Sequence, residues 1–293
     1  MRKKERAISA KALKAQMDLE KESAKTFLKY LETLKEDNMR IVSWNCHYGF
    51  TSEKAKAISE YDADILVLQE CTKADYDAQK AEWKYRNWYW DDLNNENSSL
   101  GVAIFSNEYK IEFTVNFDRN WRYVVPYHIT GKDTDFVLMA VWTKSGYTNY
   151  HEPIYSVLNS HQGTFETPVL LIGDFNTGRT VNDESWYNDL VTKLAAKGLK
   201  DCGNKKAPTY FRYFDLDRPY QNDYCFASEG FGRIVSFEIG DPKEWIKPEL
   251  SDHCPIIVDF EFDDTDKVIS TEEEAHKAAH EDFERAAFLR KRN

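Results

Sequence analysis

The chain has 293 residues, which exceeds the length at which one hydrophobic core usually stops growing, so a short peptide module is excluded. Hydrophobic residues make up 42% of the sequence and aromatic residues 14%, which is too much apolar surface for a disordered protein. The 39 basic residues are outnumbered by 50 acidic ones, and the net charge of -11 argues against a protein that coats duplex DNA through many phosphate contacts.

Residues 1–38 form a charged segment ahead of the first apolar run. The segment contains no Gly or Pro, and its apolar residues recur at spacings near three and four, which predicts an amphipathic helical arm. This arm either packs its apolar stripe on the rest of the protein or binds a partner, including a second copy of the chain. Residues 263–293 have a similar pattern that begins with a capping box, and we predict a charged helical tail there.

Between the two arms, residues 39–262 are predicted to form the body of the protein. They contain short apolar runs rich in β-branched and aromatic residues, which are typical of strands. Helical periodicity separates some of these runs, and the stretch 108–135 has the pattern of consecutive strands, so we predict an α/β domain with mixed sheets. The predicted strands cover 39–44, 65–69, 101–105, 136–142, 169–172, 224–227 and 256–260, and the predicted helices cover 51–61, 150–160 and 186–197.

The five cysteines and the apolar runs bear on the cellular compartment. None of the cysteines forms a C-x-x-C pair, so we predict neither a zinc site nor a disulfide framework. No apolar run is long enough to cross a membrane, and the amino terminus lacks the apolar core of a secretory leader. These features predict reduced, mostly buried thiols in a cytoplasmic protein.

Polar residues fall beside the predicted strands at five places, which are Asn45, Glu70, the segment 173–176, Asp223 and the segment 251–253. Each alone is an ordinary turn residue, but strand ends bring distant parts of a sequence to one rim of a sheet. The five places are rich in carboxylate and amide oxygens and contain no cysteine ligand set. Such hard oxygen donors favour Mg²⁺ or Mn²⁺, which leave coordination positions open for water and a substrate phosphate.

Six segments carry a resemblance to a known family, and they are IVSWNC, DILVLQE, LGVAIFS, VLLIGDFN, NDYCFAS and SDHCPIIVDF. Through these motifs residues 39–262 resemble the endonuclease/exonuclease/phosphatase superfamily, which has the deoxyribonuclease-I-like fold. The segments FVLMAVWTK, GDFNTG, PTYF and YQNDYCF look like those of its compact bacterial members. The resemblance implies two packed mixed β-sheets flanked by helices, a four-layer α/β sandwich, and an Mg²⁺- or Mn²⁺-dependent phosphoester hydrolase. It covers neither arm.

Position by position, the resemblance implies a metal site of three residues. Glu70 matches the carboxylate that binds the cation, and Asn45 matches the amide that orients metal, water or phosphate. Asp252 matches a second carboxylate at the same metal site.

The resemblance also implies four residues that carry the chemistry. Asp174 matches the residue that orients or deprotonates the attacking water, and Asn176 matches a donor to the phosphoryl oxygen. His253 matches the histidine that contacts the scissile phosphate. Asp223 matches the acid that holds this ring and favours its imidazolium form.

Two positions depart from the family pattern. Where relatives have a His or Tyr that binds phosphate or protonates the leaving oxygen, this chain has Trp142, and an indole cannot act as a general acid. Either Lys144, His151 or metal-bound water supplies the proton, or the leaving group is good enough to need none. The second departure is His47, where relatives often have Asp or Arg; it either contacts phosphate or is a neutral residue of the rim.

Aromatic residues cluster at 83–90 and at 210–214. Burial in the sandwich is the favoured interpretation, and the alternative is that rings exposed beside a phosphate site stack on bases. Lys205, Lys206, Arg212 and Arg218 lie near the second cluster and would form a small phosphate-binding rim on an otherwise acidic body.

Three functions follow from these features. The leading hypothesis is metal-dependent hydrolysis of nucleic-acid phosphodiester bonds. The alternative within enzymes is a phosphatase or phosphodiesterase that acts on a small phosphorylated molecule or a phospholipid head group, which the acidic body favours. A catalytically weak binding protein that recruits a partner through its arms is the third, and the retained polar residues argue against it.

Overall fold

A computed structural model describes residues 38–82, 85–91, 99–114, 123–132, 134–143, 154–156, 159, 167–180, 183–203 and 206–262. One compact unit extends over Met39–Glu261. The helices predicted for the two arms lie outside the described residues, as does most of the helix predicted for 150–160. The boundaries at residues 38 and 263 stay predictions.

The first of two mixed sheets has six strands in the order β12-β13-β1-β2-β4-β3. Its strands are β1 (Asn38–Asn45), β2 (Ile65–Thr72), β3 (Asn87–Asp91), β4 (Leu100–Ser106), β12 (Arg233–Ile239) and β13 (Ile256–Glu261). Strands β1 and β2 are parallel, and β2 and β4 are antiparallel.

The second sheet has seven strands in the order β10-β11-β8-β7-β6-β5, and the seventh, β9, pairs with β11. Its strands are β5 (Lys110–Phe113), β6 (Val124–Gly131), β7 (Thr134–Trp142), β8 (Val169–Arg179), β9 (Leu199–Asp201), β10 (Tyr210–Phe211) and β11 (Pro219–Ser228). Strands β7 and β8 are parallel, and β5 to β7 follow one another as antiparallel neighbours. The seven strands predicted from the sequence are all present, and so are consecutive strands within 108–135.

Four helices have described bounds, namely α1 (Ser52–Ser59), α2 (Lys73–Glu82), α3 (Ser185–Ala195) and α4 (Pro242–Trp245), and residues 154–156 and 159 are also helical. Helices α1, α2 and α4 contribute buried residues to the core on the outer face of the first sheet, where Trp44 and Leu66 point. Leu190 and Leu194 of α3 pack on the outer face of the second sheet. The result is the predicted sandwich of helices, two sheets and helices, in which each fully buried aliphatic side chain contributes about 1.5 to 3 kcal/mol.

A glycine controls how closely two central strands approach. Gly173 has φ +144°, and a Cβ atom at this position would lie 2.0 Å from the backbone oxygen of Val141 in the neighbouring strand. The close approach pairs Trp142 directly with Asp174. The pairing of β7 with β8 thereby fixes the position of Asp174 along its strand in the second sheet.

The cysteines agree with an expectation from the sequence. All five cysteines are buried free thiols. Among the described helices, none has both the length and the apolar character that crossing a membrane would require.

Candidate active site

Seven polar residues singled out in the sequence converge at one end of the two sheets, linked by a continuous chain of short contacts. They are Asn45, Glu70, Asp174, Asn176, Asp223, Asp252 and His253. The expectation that these residues stand at strand ends is confirmed for Asn45, the last residue of β1. It was wrong for the others: Glu70, Asp174, Asn176 and Asp223 lie within strands, and Asp252 and His253 precede β13. Asp223 reaches the same rim because β11 runs antiparallel to β8, with Asp223 opposite Asp174.

Glu70 is presented by a β-bulge. The pairing register of β2 with β4 shifts between Gln69 and Cys71, so Glu70 is the additional residue, and its φ is 59°. A bulge re-aims a side chain away from the regular alternation of a strand. Its Oε1 accepts from Nδ2 of Asn45 at 3.1 Å, and its Oε2 accepts from the backbone N–H of Tyr48 at 3.1 Å. The carboxylate is only partly buried, and both oxygens keep further lone pairs for a cation.

The loop after β1 is organised by Lys54, which sequence reasoning missed. Its ammonium group donates to the backbone carbonyls of Cys46, His47 and Gly49 at 2.5, 2.9 and 3.0 Å. Burial lowers the pKa of Lys54, although nearby negative charges oppose this effect. The three carbonyls are gathered around one cation, which fixes the loop so that the Tyr48 N–H points at the bulge carboxylate. No sequence pattern distinguishes this lysine from a solvated residue in the first turn of a helix.

Asp174 is only 1% exposed and forms the centre of the buried part of the site. Its Oδ1 accepts from the backbone N–H of Asn176 at 2.8 Å, and its Oδ2 accepts from the amides of Asn45 and Asn176, both at 3.0 Å. Nδ2 of Asn176 also donates to the carbonyl of Thr143 at 2.6 Å. Both hydrogens of this amide are therefore used, so the predicted donation to a phosphoryl oxygen requires one of these bonds to be exchanged.

His253 is buried between two carboxylates. Its Nδ1 lies 2.8 Å from Oδ2 of Asp223, and its Nε2 lies 4.0 Å from Oδ2 of Asp174. Two hydroxyls that the motifs did not reveal hold the backbone here: Thr209 accepts from the N–H of Asp223, and Ser251 accepts from the N–H of His253, both at 3.0 Å. Within the described part of the chain, Oδ1 of Asp223 is buried and has no hydrogen-bond partner.

Burial and charge shift the pKa values of the central pair. Burial raises the pKa of Asp174 to about 7. The positive charge of His253 lowers this pKa, and the negative charge of Asp223 raises it further. Burial alone would lower the pKa of His253, but the charges of Asp223 and Asp174 outweigh it and raise that pKa to about 10. Near neutral pH, Asp174 is thus poised to exchange a proton while His253 stays an imidazolium.

Asp252 is connected to the end of β1 through His47. Its Oδ1 lies 2.9 Å from Nδ1 of His47, whose backbone N–H donates to Oδ1 of Asn45 at 3.0 Å. Burial alone would raise the pKa of Asp252, but the hydrogen bond from His47 and the charge of His253 lower it below its ordinary value. The carboxylate is therefore held in its charged form. The expected phosphate contact of His47 stays a prediction.

The other residues predicted to contact substrate are placed differently. Trp142 pairs with Asp174 across the strands, but its side chain is only 2% exposed, which argues against direct contact with a substrate. Arg212 is exposed in the short 3₁₀ turn Arg212–Phe214 that follows β10. Lys144 and His151 lie outside the described residues.

The two aromatic clusters have different environments. In the first, Tyr85 is buried, and Trp88 and Trp90 pack against the core of the first sheet, so these rings are structural. In the second, Phe211 is buried, but Tyr213 is 70% exposed. Among the described rings of the two clusters, Tyr213 presents the largest exposed surface.

Two groups of side chains could hold a divalent cation. Asp174, Asp223 and His253 offer ligand atoms that lie within 4.8 Å of one another. A cation there would have to displace contacts that these side chains already make. These are the hydrogen bonds from Asn45 and Asn176 to Asp174 and the ion pair between His253 and Asp223. The group predicted from the sequence, Glu70 with Asn45 and Asp252, stays a prediction. The Glu70 carboxylate is partly exposed, and each of its oxygens accepts one hydrogen bond.

The sequence of residues 42–253 matches the endonuclease/exonuclease/phosphatase family. The chain belongs to this family. The matched segment begins before Asn45 and ends at His253, so it contains the whole site described above. Members of this family are metal-dependent phosphoesterases, and both nucleases and phosphatases are among them. No curated protein sequence matches the chain.

Solved structures with the same fold include an endonuclease and a phosphatase. An AP endonuclease from Leishmania major is 12% identical, with a TM-score of 0.61, over 78% of this chain and 89% of that one. A 3′ phosphatase from Neisseria, solved with a product DNA hairpin, is 18% identical, with a TM-score of 0.55, over 76% of this chain and 100% of that one. A family protein from Bacteroides thetaiotaomicron is 18% identical, with a TM-score of 0.55, over 77% and 98%. At these identities the similarity is one of fold.

Proposed function

We propose that the protein hydrolyses phosphodiester bonds of nucleic acids with the help of Mg²⁺ or Mn²⁺. The observation that supports this most is the continuous network from Glu70 through Asn45 to Asp174 and His253. It places a partly exposed carboxylate next to a buried carboxylate and an imidazolium. That combination suits attack of water on a phosphate that is held by positive charge.

The buried residues would handle the proton and the developing charge. Asp174 accepts the proton of the attacking water as the new P–O bond forms. The ester P–O bond breaks, and the departing alkoxide takes a proton from solvent water. His253, kept cationic by Asp223, pairs with a phosphoryl oxygen that gains negative charge in the transition state. The amide of Asn45 donates to Asp174 and so holds this carboxylate next to the proposed metal-binding residues. The cation, held by Glu70 and Asp252, would supply Lewis-acid stabilisation of the phosphoryl oxygens.

Nucleic acid is the favoured substrate class because the fold neighbours include a 3′ phosphatase bound to DNA and an AP endonuclease. The net charge of -11 favours the alternative of a small phosphorylated molecule, since a long polyanion would meet a repulsive surface. A binding protein without activity is disfavoured by the complete network of buried acid, histidine and amide groups.

A substrate panel tests the proposal. The full chain would be assayed with Mg²⁺, with Mn²⁺ and with excess EDTA on single-stranded DNA, plasmid DNA, RNA, a chromogenic diester and inositol phosphates. We expect metal-dependent cleavage of at least one nucleic acid, lost in Asp174→Asn and kept in Asp189→Asn, a control on the exposed face of α3. Turnover of inositol phosphates alone, or full activity in EDTA, would contradict the proposal.

A further inference from the structure

A group of aromatic side chains borders the active site, and the chemistry above uses none of their ring faces. We call it the aromatic rim, and it consists of His47, Tyr48, Tyr213 and Phe214. The ring of His47 lies 4.7 Å from that of Tyr48 and 5.2 Å from that of Phe214, with both pairs edge to face. The rim is therefore continuous with the site, because His47 is bonded to Asp252.

The rim presents apolar surface to solvent. Tyr48 and Tyr213 are 72% and 70% exposed, more than any other large hydrophobic residue in the described part of the chain. Both belong to segments whose backbone is held in the left-handed region, with φ of 53° at Tyr48 and 60° at Tyr213. This conformation costs free energy for residues other than glycine and persists where the surrounding structure imposes it, which is frequent at binding sites.

The second segment is anchored directly to the catalytic turn. The backbone N–H of Phe211 donates to the carbonyl of Asp252 at 2.8 Å, and Tyr210 forms a bridge with His253. The 3₁₀ turn begins at the next residue, so the backbone that carries Tyr213 is hydrogen-bonded to the segment of Asp252 and His253. The exposed ring therefore extends from a segment anchored at the active site.

A cation accompanies the exposed ring. The guanidinium carbon of Arg212 lies 5.0 Å from the centre of the Tyr213 ring, and its Nη2 donates to the Tyr213 hydroxyl at 3.2 Å. Within the described ranges, no carboxylate lies at salt-bridge distance from Arg212, whereas the neighbouring Arg218 pairs with Asp215 at 3.2 Å. Arg212 is thus an uncompensated positive charge beside an aromatic face.

We propose that the aromatic rim binds an unpaired nucleobase next to the scissile phosphate, with Arg212 contacting a flanking phosphate. This inference rests on the proposed function and specifies its substrate as single-stranded or locally unpaired nucleic acid. Stacking on a ring requires a free base face, which a paired and stacked duplex does not offer. A polyol head group fits less well, because its many hydroxyls need hydrogen-bond partners and the rim offers ring faces and one guanidinium.

The test measures binding in EDTA, so that it does not depend on turnover. The probes are a fluorescently labelled oligothymidylate and an oligomer with the same number of phosphates in which every base is replaced by an abasic tetrahydrofuran unit. We expect the wild type to bind the thymidylate oligomer about 10-fold or more tightly than the abasic one, since each stacked base is worth about 1 to 3 kcal/mol.

Variants assign the preference to the rim. Tyr213→Ala should remove most of the preference for the base-containing oligomer, and Tyr48→Ala should reduce it. Tyr213→Phe keeps the ring and should retain the preference, as should Val235→Ala, which removes exposed apolar surface at the far end of β12. Arg212→Gln should weaken binding of both oligomers by the same factor. It should also lower the slope of log affinity against log salt concentration by the equivalent of about one phosphate contact.

The outcomes separate this inference from the proposed function. Equal affinity of the wild type for the two oligomers, or an unchanged preference in both alanine variants, would overturn the nucleobase site even if DNA is cleaved with Mg²⁺. Tighter binding of inositol phosphates than of either oligomer would also overturn it. A base preference that depends on Tyr213 in a protein that cleaves no nucleic acid would support the rim and contradict the proposed function.

Discussion

The two sheets contribute carboxylates of different character to one site. The first sheet supplies Glu70 on a bulge, and Asp252 lies in the turn before its strand β13; both carboxylates are partly exposed. The second sheet supplies Asp174 and Asp223 from paired strands, and each is 1% exposed. A partly hydrated carboxylate stays charged and can bind a cation, whereas a buried one exchanges protons or holds an imidazolium. Burial, more than residue type, therefore separates the proposed metal-binding acids from the proposed proton-handling acids.

Asn45 joins the two groups. Its amide donates to Glu70 and to Asp174, so the metal-binding side and the proton-handling side share one donor at the end of β1. Its backbone carbonyl also accepts from the Ser251 hydroxyl at 2.6 Å, which ties the turn before β13 to the same point. The division between the sheets can be tested by substituting residues of each group separately.

The largest effect is expected on the buried side. Asp174→Asn and His253→Ala should each lower kcat by about two to four decades, because each removes a group that handles the proton or the transition-state charge. The double variant should lose little more than either single variant, since both act on one phosphoryl group. Steady-state kinetics on the best nucleic-acid substrate measures this, and losses that add in free energy would show that the two residues act independently.

A smaller effect is expected when the loop on the metal-binding side is loosened. Lys54→Met removes the donor shared by three backbone carbonyls, and we expect a loss of about 10- to 100-fold in metal affinity or kcat/KM. Lys110→Met, which removes an exposed lysine from β5, is the matched control. Unchanged Mn²⁺ affinity and unchanged kinetics in Lys54→Met would show that the lysine does not position the site.

The sequence predicted the sheets well and the site only in part. Apolar runs identified the strands because burial on both faces leaves a continuous signal, and the motifs around Asn45, Asp174 and His253 contain residues that the structure brings together. The bulge at Glu70 arises from pairing with β4, which is a long-range property without a local signature. Lys54 also lacks a local signature, because its partners are backbone carbonyls. The burial of Trp142 likewise depends on long-range packing.

The smallest effect concerns stability. The folded-state pKa of His253 is raised to about 10 from its ordinary 6.5, so its ion pair with Asp223 stabilises the fold fully below pH 6.5 and is lost as pH rises through 10. In EDTA, the Tm advantage of wild type over Asp223→Asn should therefore shrink between pH 7 and pH 10, by about 2 to 4 °C for each kcal/mol lost. Parallel Tm curves over this range would show that the pair does not titrate as described.

The most direct test of the division between the sheets is metal binding measured beside turnover in two variants. Mn²⁺ titration followed by electron paramagnetic resonance would be combined with phosphodiester cleavage by the wild type, Glu70→Gln and Asp174→Asn, with Glu112→Gln on the exposed strand β5 as control. We predict that Glu70→Gln loses both Mn²⁺ binding and turnover, while Asp174→Asn loses turnover but keeps Mn²⁺ affinity within a few-fold. Loss of Mn²⁺ binding in Asp174→Asn with retention in Glu70→Gln would place the cation in the buried cluster and contradict the account.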